Sequence, residues 1–187
     1  MLLDIGAGIL ASIFVSRFFG FNLAAPFVIG GVVFSLLMDA DYVFHLARGG
    51  NSKDAHKHRD LLHLPFLYIP IGVLLISPYS RAWAVLFGIC SFIHFLHDSV
   101  GLGWGIQWLY PLRKDHYTFF YRYQPPGKEK LPRRKFYIWR HEDIDVLAKK
   151  YGDEDWVKNI YLRWHPYAVI EFLVFLFSLL VLFLNFR

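Results

Sequence analysis

YAVIEFLVFLFSLLVLFLNF, Tyr167 to Phe186, is twenty residues of nearly unbroken apolar sequence. A membrane-spanning helix needs about 20 predominantly apolar residues, within a range of roughly 17 to 25. This run meets that need by itself. Working outward, four more apolar runs appear: Leu2 to Phe19, interrupted by Asp4 and Arg17, then Leu23 to Met38, Leu64 to Ile76 and Ala82 to Leu96. The middle runs are short, so each must be extended by polar ends or cross a locally thinned bilayer. Pro65, Pro70 and Pro78 bound or kink the run from Leu64. The pattern predicts an all-α polytopic membrane protein with four to five transmembrane helices.

Composition agrees. Of 187 residues, 56% are hydrophobic and only 19% are charged, against about 25% in an average soluble domain. Disorder, collagen and a disulfide scaffold are excluded, and the single cysteine, Cys90, cannot form an internal disulfide. The first run is not read as a cleaved signal, because it lacks a basic leader and carries Asp4 where one is expected.

Polar residues concentrate in two loops, Asp39 to His63 and Leu112 to Trp164. With five spans, both loops and the N-terminus fall on one side, which then receives 17 of the 20 Lys and Arg residues. Positive charge near short loops marks the cytoplasmic face. That asymmetry accounts for the net charge of +5 without nucleic acid as a partner. Three regions follow: a membrane-embedded domain over 1–111, a small basic α+β insert over 112–164, and a C-terminal transmembrane helix over 165–187. Within the insert, Tyr117 to Tyr123 and Lys135 to Arg140 are β-prone and flank a Pro- and Gly-rich turn, which predicts a hairpin. Ile144, Leu147, Ala148 and Tyr151 repeat at helical spacing and Gly152 stops them. Asp153 is placed to cap a second helix carrying Trp156, Ile160 and Trp164. The insert reads as an amphipathic cap on the membrane rather than a substrate lid.

Ionisable residues are costly near a bilayer, so their positions carry information. Asp4, Asp39, Asp41, His58, Arg59, His63, His94, His97 and Asp98 all fall at ends of apolar runs and, by the topology above, at one membrane face. His94 and Asp98 are four apart and share a helical face. Imidazole and carboxylate suit zinc and other first-row divalent ions. His97 can join them or orient a ligand. Asp39 and Asp41 diverge if both are helical but can face one cation in a turn. Arg59 suits a substrate phosphate or carboxylate. The plainer reading of each is a polar helix end meeting lipid headgroups. His45, His56, His116, His141 and His165 have no such company and read as interfacial or solvated.

Taken in order, these motifs resemble the membrane-bound metal-dependent hydrolase family, also described as LexA-binding, inner-membrane-associated hydrolases. That family shows H-x-x-x-G, P-D-x-D, H-R-x-x-x-H and H-x-x-x-D, then a Gly-rich turn and an aromatic-Pro pair. Here Asp39–Ala40–Asp41 follows Met38 where Pro is usual. His58, Arg59 and His63 match the third motif, and His94 and Asp98 the fourth. Gly105 to Pro111 is similar to the closing segment, and Asp4 with Gly8 stands at the first motif, Asp replacing His. The resemblance covers about residues 1 to 111. It implies hydrolysis with a divalent metal. The ligands are then Asp4, Asp41, His63, His94 and Asp98, with zinc as the expected ion. Asp39 and His58 are expected as general base or support, and Arg59 as the anchor for substrate charge. A site at the cytoplasmic face of an inner membrane points to a phospholipid or another amphiphilic ester. Two other classes compete: a metal-ion transporter, which would place its polar residues nearer mid-span, and a non-catalytic protein binding a cytoplasmic partner through the basic insert.

Overall fold

The computed structural model describes residues 1–50, 62–120 and 123–185. Among them are seven α-helices: α1 (Leu2–Phe19), α2 (Ala25–Leu36), α3 (Ala40–Ala47), α4 (Pro65–Ile76), α5 (Arg81–Asp98), α6 (Ile144–Tyr151) and α7 (Pro166–Asn185). Two short strands, β1 (His116–Phe119) and β2 (Phe136–Trp139), form one antiparallel pair. The chain divides into two compact units. One comprises Met1–Asp39, Ile69–His94 and Val157–Arg187; the other comprises Ala40–Tyr68 and Phe95–Trp156.

In the first unit α1 packs against both α2 and α7. Small residues allow this. A Cβ on Gly6 would meet the Phe175 backbone at 3.2 Å, and one on Gly8 would meet the Gly31 carbonyl oxygen at 2.5 Å. Ser12 Oγ donates to the Gly8 carbonyl at 2.8 Å and to the Phe27 carbonyl of α2 at 3.2 Å. Close backbone approach through Gly and Ser is how helices associate where lipid removes the hydrophobic drive between them. Beyond the crossing, Val15, Phe27, Leu86 and Cys90 form a buried cluster, with the Trp83 ring edge-on to Phe27 at 4.8 Å. Gly20, at φ 73°, ends α1 in the left-handed conformation that costs glycine little.

A Gly31→Val protein tests the crossing. Its Cβ would lie 2.1 Å from Ser12 Oγ and 2.5 Å from the Gly8 carbonyl. The hydroxyl can rotate away, but the carbonyl cannot, so the helices must separate. A loss of about 1–3 kcal/mol is expected, as for overpacked cores, read as a lower unfolding midpoint in detergent. Val33→Ala, at an exposed α2 position, is the matched control. Equal midpoints for Gly31→Val and wild type would refute the close crossing.

Among the described residues, three helices are long and apolar enough to cross a membrane: Leu2–Phe19, the continuous helical stretch Ala25–Ala47, and Pro166–Asn185. Only 11% of the last is buried within the protein. Phe172, Leu176, Leu180 and Phe183 of α7 all face outward, an apolar surface that a lipid environment accommodates and water does not. The runs from Leu64 and Ala82 become α4 and α5. At 12 residues, α4 rises about 18 Å, well short of the roughly 30 Å hydrocarbon layer. Pro70 sits inside it, and α5 carries Arg81 at its start and His94, His97 and Asp98 towards its end.

The second unit holds the hairpin and α6. The register pairs His116 with Trp139 and Phe119 with Phe136. β1 stops at Phe119, inside the run Tyr117 to Tyr123, because Phe120 adopts φ 62° and turns the backbone out of the extended region; residues 121–122 lie outside the described residues. Helix α6 forms where the spacing predicts it. Ile144, Leu147, Ala148 and Tyr151 pack on Trp104, Leu131 and Trp139. The helix expected after Asp153 is reduced to a single wide turn, Val157–Tyr161. Pro166 opens α7 instead, and a proline cannot continue an existing helix. Trp164 is left 95% exposed. Asp153 caps only a local turn, accepting from the Asp155 N–H at 3.0 Å, while the Tyr123 hydroxyl donates to its other oxygen.

Candidate metal-binding groups

Each unit contains one buried imidazole flanked by two carboxylates. In the first unit the imidazole is His94, 2% exposed, near the end of α5. Its Nδ1 lies 3.3 Å from Asp4 Oδ1, and its Nε2 lies 3.7 Å from Asp39 Oδ1. Asp4 is in the first turn of α1, where the helix dipole favours an acid. Its second oxygen is 3.0 Å from the Met1 ammonium. Asp39 closes a 3₁₀ turn, Leu37–Asp39, that follows α2. A further acid completes this polar island: Glu171 of α7, buried, accepts a hydrogen bond from the Tyr161 hydroxyl at 2.6 Å.

In the second unit the imidazole is His63, fully buried. Its Nδ1 is 2.8 Å from Asp41 Oδ2, and its Nε2 is 3.0 Å from Asp98 Oδ2. The Leu62 N–H also points to Asp41 Oδ2, at 3.4 Å. Phe95 stands edge-on to the His63 ring, and Tyr68 edge-on to Phe95, so an aromatic wall backs the triad. Burial lowers the basicity of His63, but hydrogen bonds to Asp41 and Asp98, together with their charges, outweigh it and raise its pKa to about 9. The triad is a buried carboxylate–imidazolium–carboxylate bridge at neutral pH.

Five residues read as ligands from the sequence thus divide into Asp4 and His94 in one unit and Asp41, His63 and Asp98 in the other. Asp39, read as a base, stands beside His94. The 3₁₀ turn ends at Asp39 and α3 begins at Ala40, so that Asp39 meets His94 and Asp41 meets His63. Asp41 lies in the first turn of α3. His97 is half-buried in the last turn of α5. His58, Arg59 and His56 lie outside the described residues.

Two groups escaped the sequence reading. Glu171 is a lone acid within an apolar span, a signal that was available. His116, read as interfacial or solvated, is 4% exposed and meets Gln107 and His141.

Both triads offer nitrogen and oxygen donors of the kind divalent first-row ions take. Asp39, His63 and His94 each present a suitable ligand atom. The chemistry fits a cation for a specific reason. Two carboxylates converging on one buried ring hold net negative charge when the ring is neutral, and a divalent ion can supply what a proton supplies at His63. No family model, curated protein or solved structure matches the chain.

Proposed function

We propose that this protein is an integral-membrane hydrolase dependent on a divalent metal, zinc being the ion its donors suit best. The observation that carries the reading is the pair of His/Asp triads, each built on a buried imidazole, in a chain whose longest helices are apolar enough to span a membrane. The order of the sequence motifs supports it. In this reading α4 and α5 join the three long helices as shorter spans, giving the four to five expected. The triads face the cytoplasm at an inner membrane, where 17 basic residues gather.

Asp4, Asp41, His63, His94 and Asp98 are the ligands of the proposal. A bound zinc ion lowers the pKa of its water towards about 7. The chain's own residues do the rest. Asp39 takes a proton from water entering the site, a role supported by its being more exposed than Asp4 or His94. Arg59 neutralises a substrate phosphate or carboxylate, and His58 supports it. An amphiphilic ester, such as a phospholipid, can reach such a site from the lipid phase.

Metal analysis of protein purified in mild detergent tests this directly. Wild type is expected to carry zinc or bind it when added. His94→Ala should lose metal and at least a hundredfold of hydrolysis of a phospholipid in mixed micelles, whereas Arg59→Ala should keep metal and lose turnover. A Cys placed at Lys128 should be shielded from an impermeant maleimide in intact cells. Folded wild type without affinity for zinc or manganese would rule out the metal-dependent reading, and labelled Lys128→Cys would rule out the orientation.

A further inference from the structure

Successive side chains of a strand point to opposite faces, and the two faces of β2 meet different surroundings. Tyr137 and Trp139 turn inward. The Tyr137 hydroxyl donates to the Pro132 carbonyl at 2.6 Å, and the Trp139 indole N–H donates to Thr118 Oγ1 at 3.0 Å. Trp139 and the apolar side of α6 pack on one cluster, Trp104, Leu131 and Ile144. The inner face of the hairpin is thus closed by α6.

Phe136 and Ile138 turn the other way and stay 46% and 52% exposed. Their register partners on β1 are Phe119 and Tyr117. That half of the outer face is covered: Tyr117 is buried, and the Phe119 ring lies 6.0 Å from Trp108. Phe136 stacks on Phe119 with one ring face, at 5.5 Å, and leaves the rest of its surface open. The result is an apolar strip along β2, on the side of the hairpin away from α6.

Charge surrounds this strip. From Lys130 to Arg140 the sequence holds five basic residues and no acidic one, and all five are exposed. Arg133, Arg134 and Lys135 precede β2, and Arg140 follows it in extended backbone. An apolar strip alone suits any apolar partner, and a basic cluster alone suits any polyanion. Together they match the boundary of a bilayer, where phosphates adjoin acyl chains. A nucleic acid fits less well, because Ile138 offers no ring on which a base can stack. The chain also keeps the hairpin near lipid. Only His141 to His165 separate Arg140 from α7, a helix long and apolar enough to span a membrane. A tether of that kind raises the effective concentration of the bilayer surface.

We propose that the outer face of β2 docks on anionic phospholipid, with Phe136 and Ile138 entering the headgroup boundary and the flanking arginines binding lipid phosphates. The proposal needs α7 in a bilayer but does not depend on hydrolysis.

The test uses the full chain in nanodiscs of phosphatidylcholine alone or of an equal mixture with phosphatidylglycerol. An environment-sensitive fluorophore is attached to Ile138→Cys. Lys149→Cys, exposed on α6, is the control for the opposite side. Cys90 is buried and stays in place, its labelling measured in protein without an introduced cysteine. In the mixed discs the probe at 138 should shift to the blue and be quenched by lipid carrying a nitroxide near the headgroup. In phosphatidylcholine it should dock less, and at position 149 aqueous iodide should quench it in both discs. Arg134→Gln combined with Arg140→Gln should lower the docked-to-undocked ratio about thirtyfold, roughly fivefold for each arginine. Both side chains are exposed, and near-ultraviolet circular dichroism checks that the fold persists. A probe at 138 that stays in water in both discs would overturn the proposal and leave the strip to a soluble acidic partner. Equal lipid quenching in both discs, unchanged by the arginine substitutions, would overturn the anionic recognition. The wild-type comparison between the two discs needs no change at the arginines, so a folding defect cannot mimic either result.

Discussion

His63→Ala is expected to destabilise the metal-free protein by about 3–5 kcal/mol, the range found when one partner of a buried ion pair is removed. The reason lies in what remains. His63 is fully buried, and Asp41 and Asp98 reach it from opposite ring nitrogens at 2.8 and 3.0 Å. Without the ring, two carboxylates face a cavity in a low-dielectric pocket. One must then take up a proton, or water must enter. The lost volume beside Phe95 adds a packing cost. A second substitution separates these contributions. His63→Ala combined with Asp98→Asn removes one of the stranded charges and should recover part of the loss, whereas a pure cavity effect would leave it unchanged. Unfolding in detergent with chelator at pH 7 gives the measurement. A His63→Ala midpoint equivalent to less than about 1 kcal/mol below wild type would show that the bridge contributes little.

The reach of the sequence differs between elements for physical reasons. The periodicity of Ile144, Leu147, Ala148 and Tyr151 defines α6 and its buried face, because a short amphipathic helix is set by local spacing and packs as its pattern dictates. The hairpin is legible from its aromatic runs and its Pro-rich turn, but its end is not, because the backbone at Phe120 departs from any residue preference. That Asp and His collect at helix ends is visible in the linear order. Which Asp meets which His is not, because a 3₁₀ turn between Leu37 and Asp39 redirects two acids that are two residues apart. His116 illustrates the limit. Nothing around it in sequence announces burial, and its partners, Gln107 and His141, stand 9 and 25 residues away. Only the tight passage of Gly105 against Tyr117 brings them together.

Protons and zinc are expected to compete at His63 and to give the protein two opposite pH dependences. In chelator the ring has a pKa of about 9, above the ordinary 6.5, since Asp41 and Asp98 outweigh the opposing effect of burial. A folded-state pKa above the unfolded one means the stabilisation is complete below about pH 6.5 and is lost as pH climbs through about 9. The full difference is on the order of 3 kcal/mol. The chelated protein should therefore melt at progressively lower temperature from pH 7 to 9. A metal ligand must be a neutral imidazole, so below pH 9 zinc has to displace that proton. Apparent zinc affinity should rise about tenfold per pH unit between 7 and 9. At a free zinc concentration held constant by a chelator buffer, each tenfold adds about 1.4 kcal/mol to ligand-induced stability. The gap between zinc-loaded and chelated midpoints should thus widen with pH, while the chelated midpoint itself falls. His63→Gln, which cannot hold the proton, should flatten both trends. If the chelated slope is present but zinc stabilises equally at pH 7 and 9, His63 is a structural bridge and not a ligand, and the proposed metal site is narrowed to His94, Asp4 and Asp39.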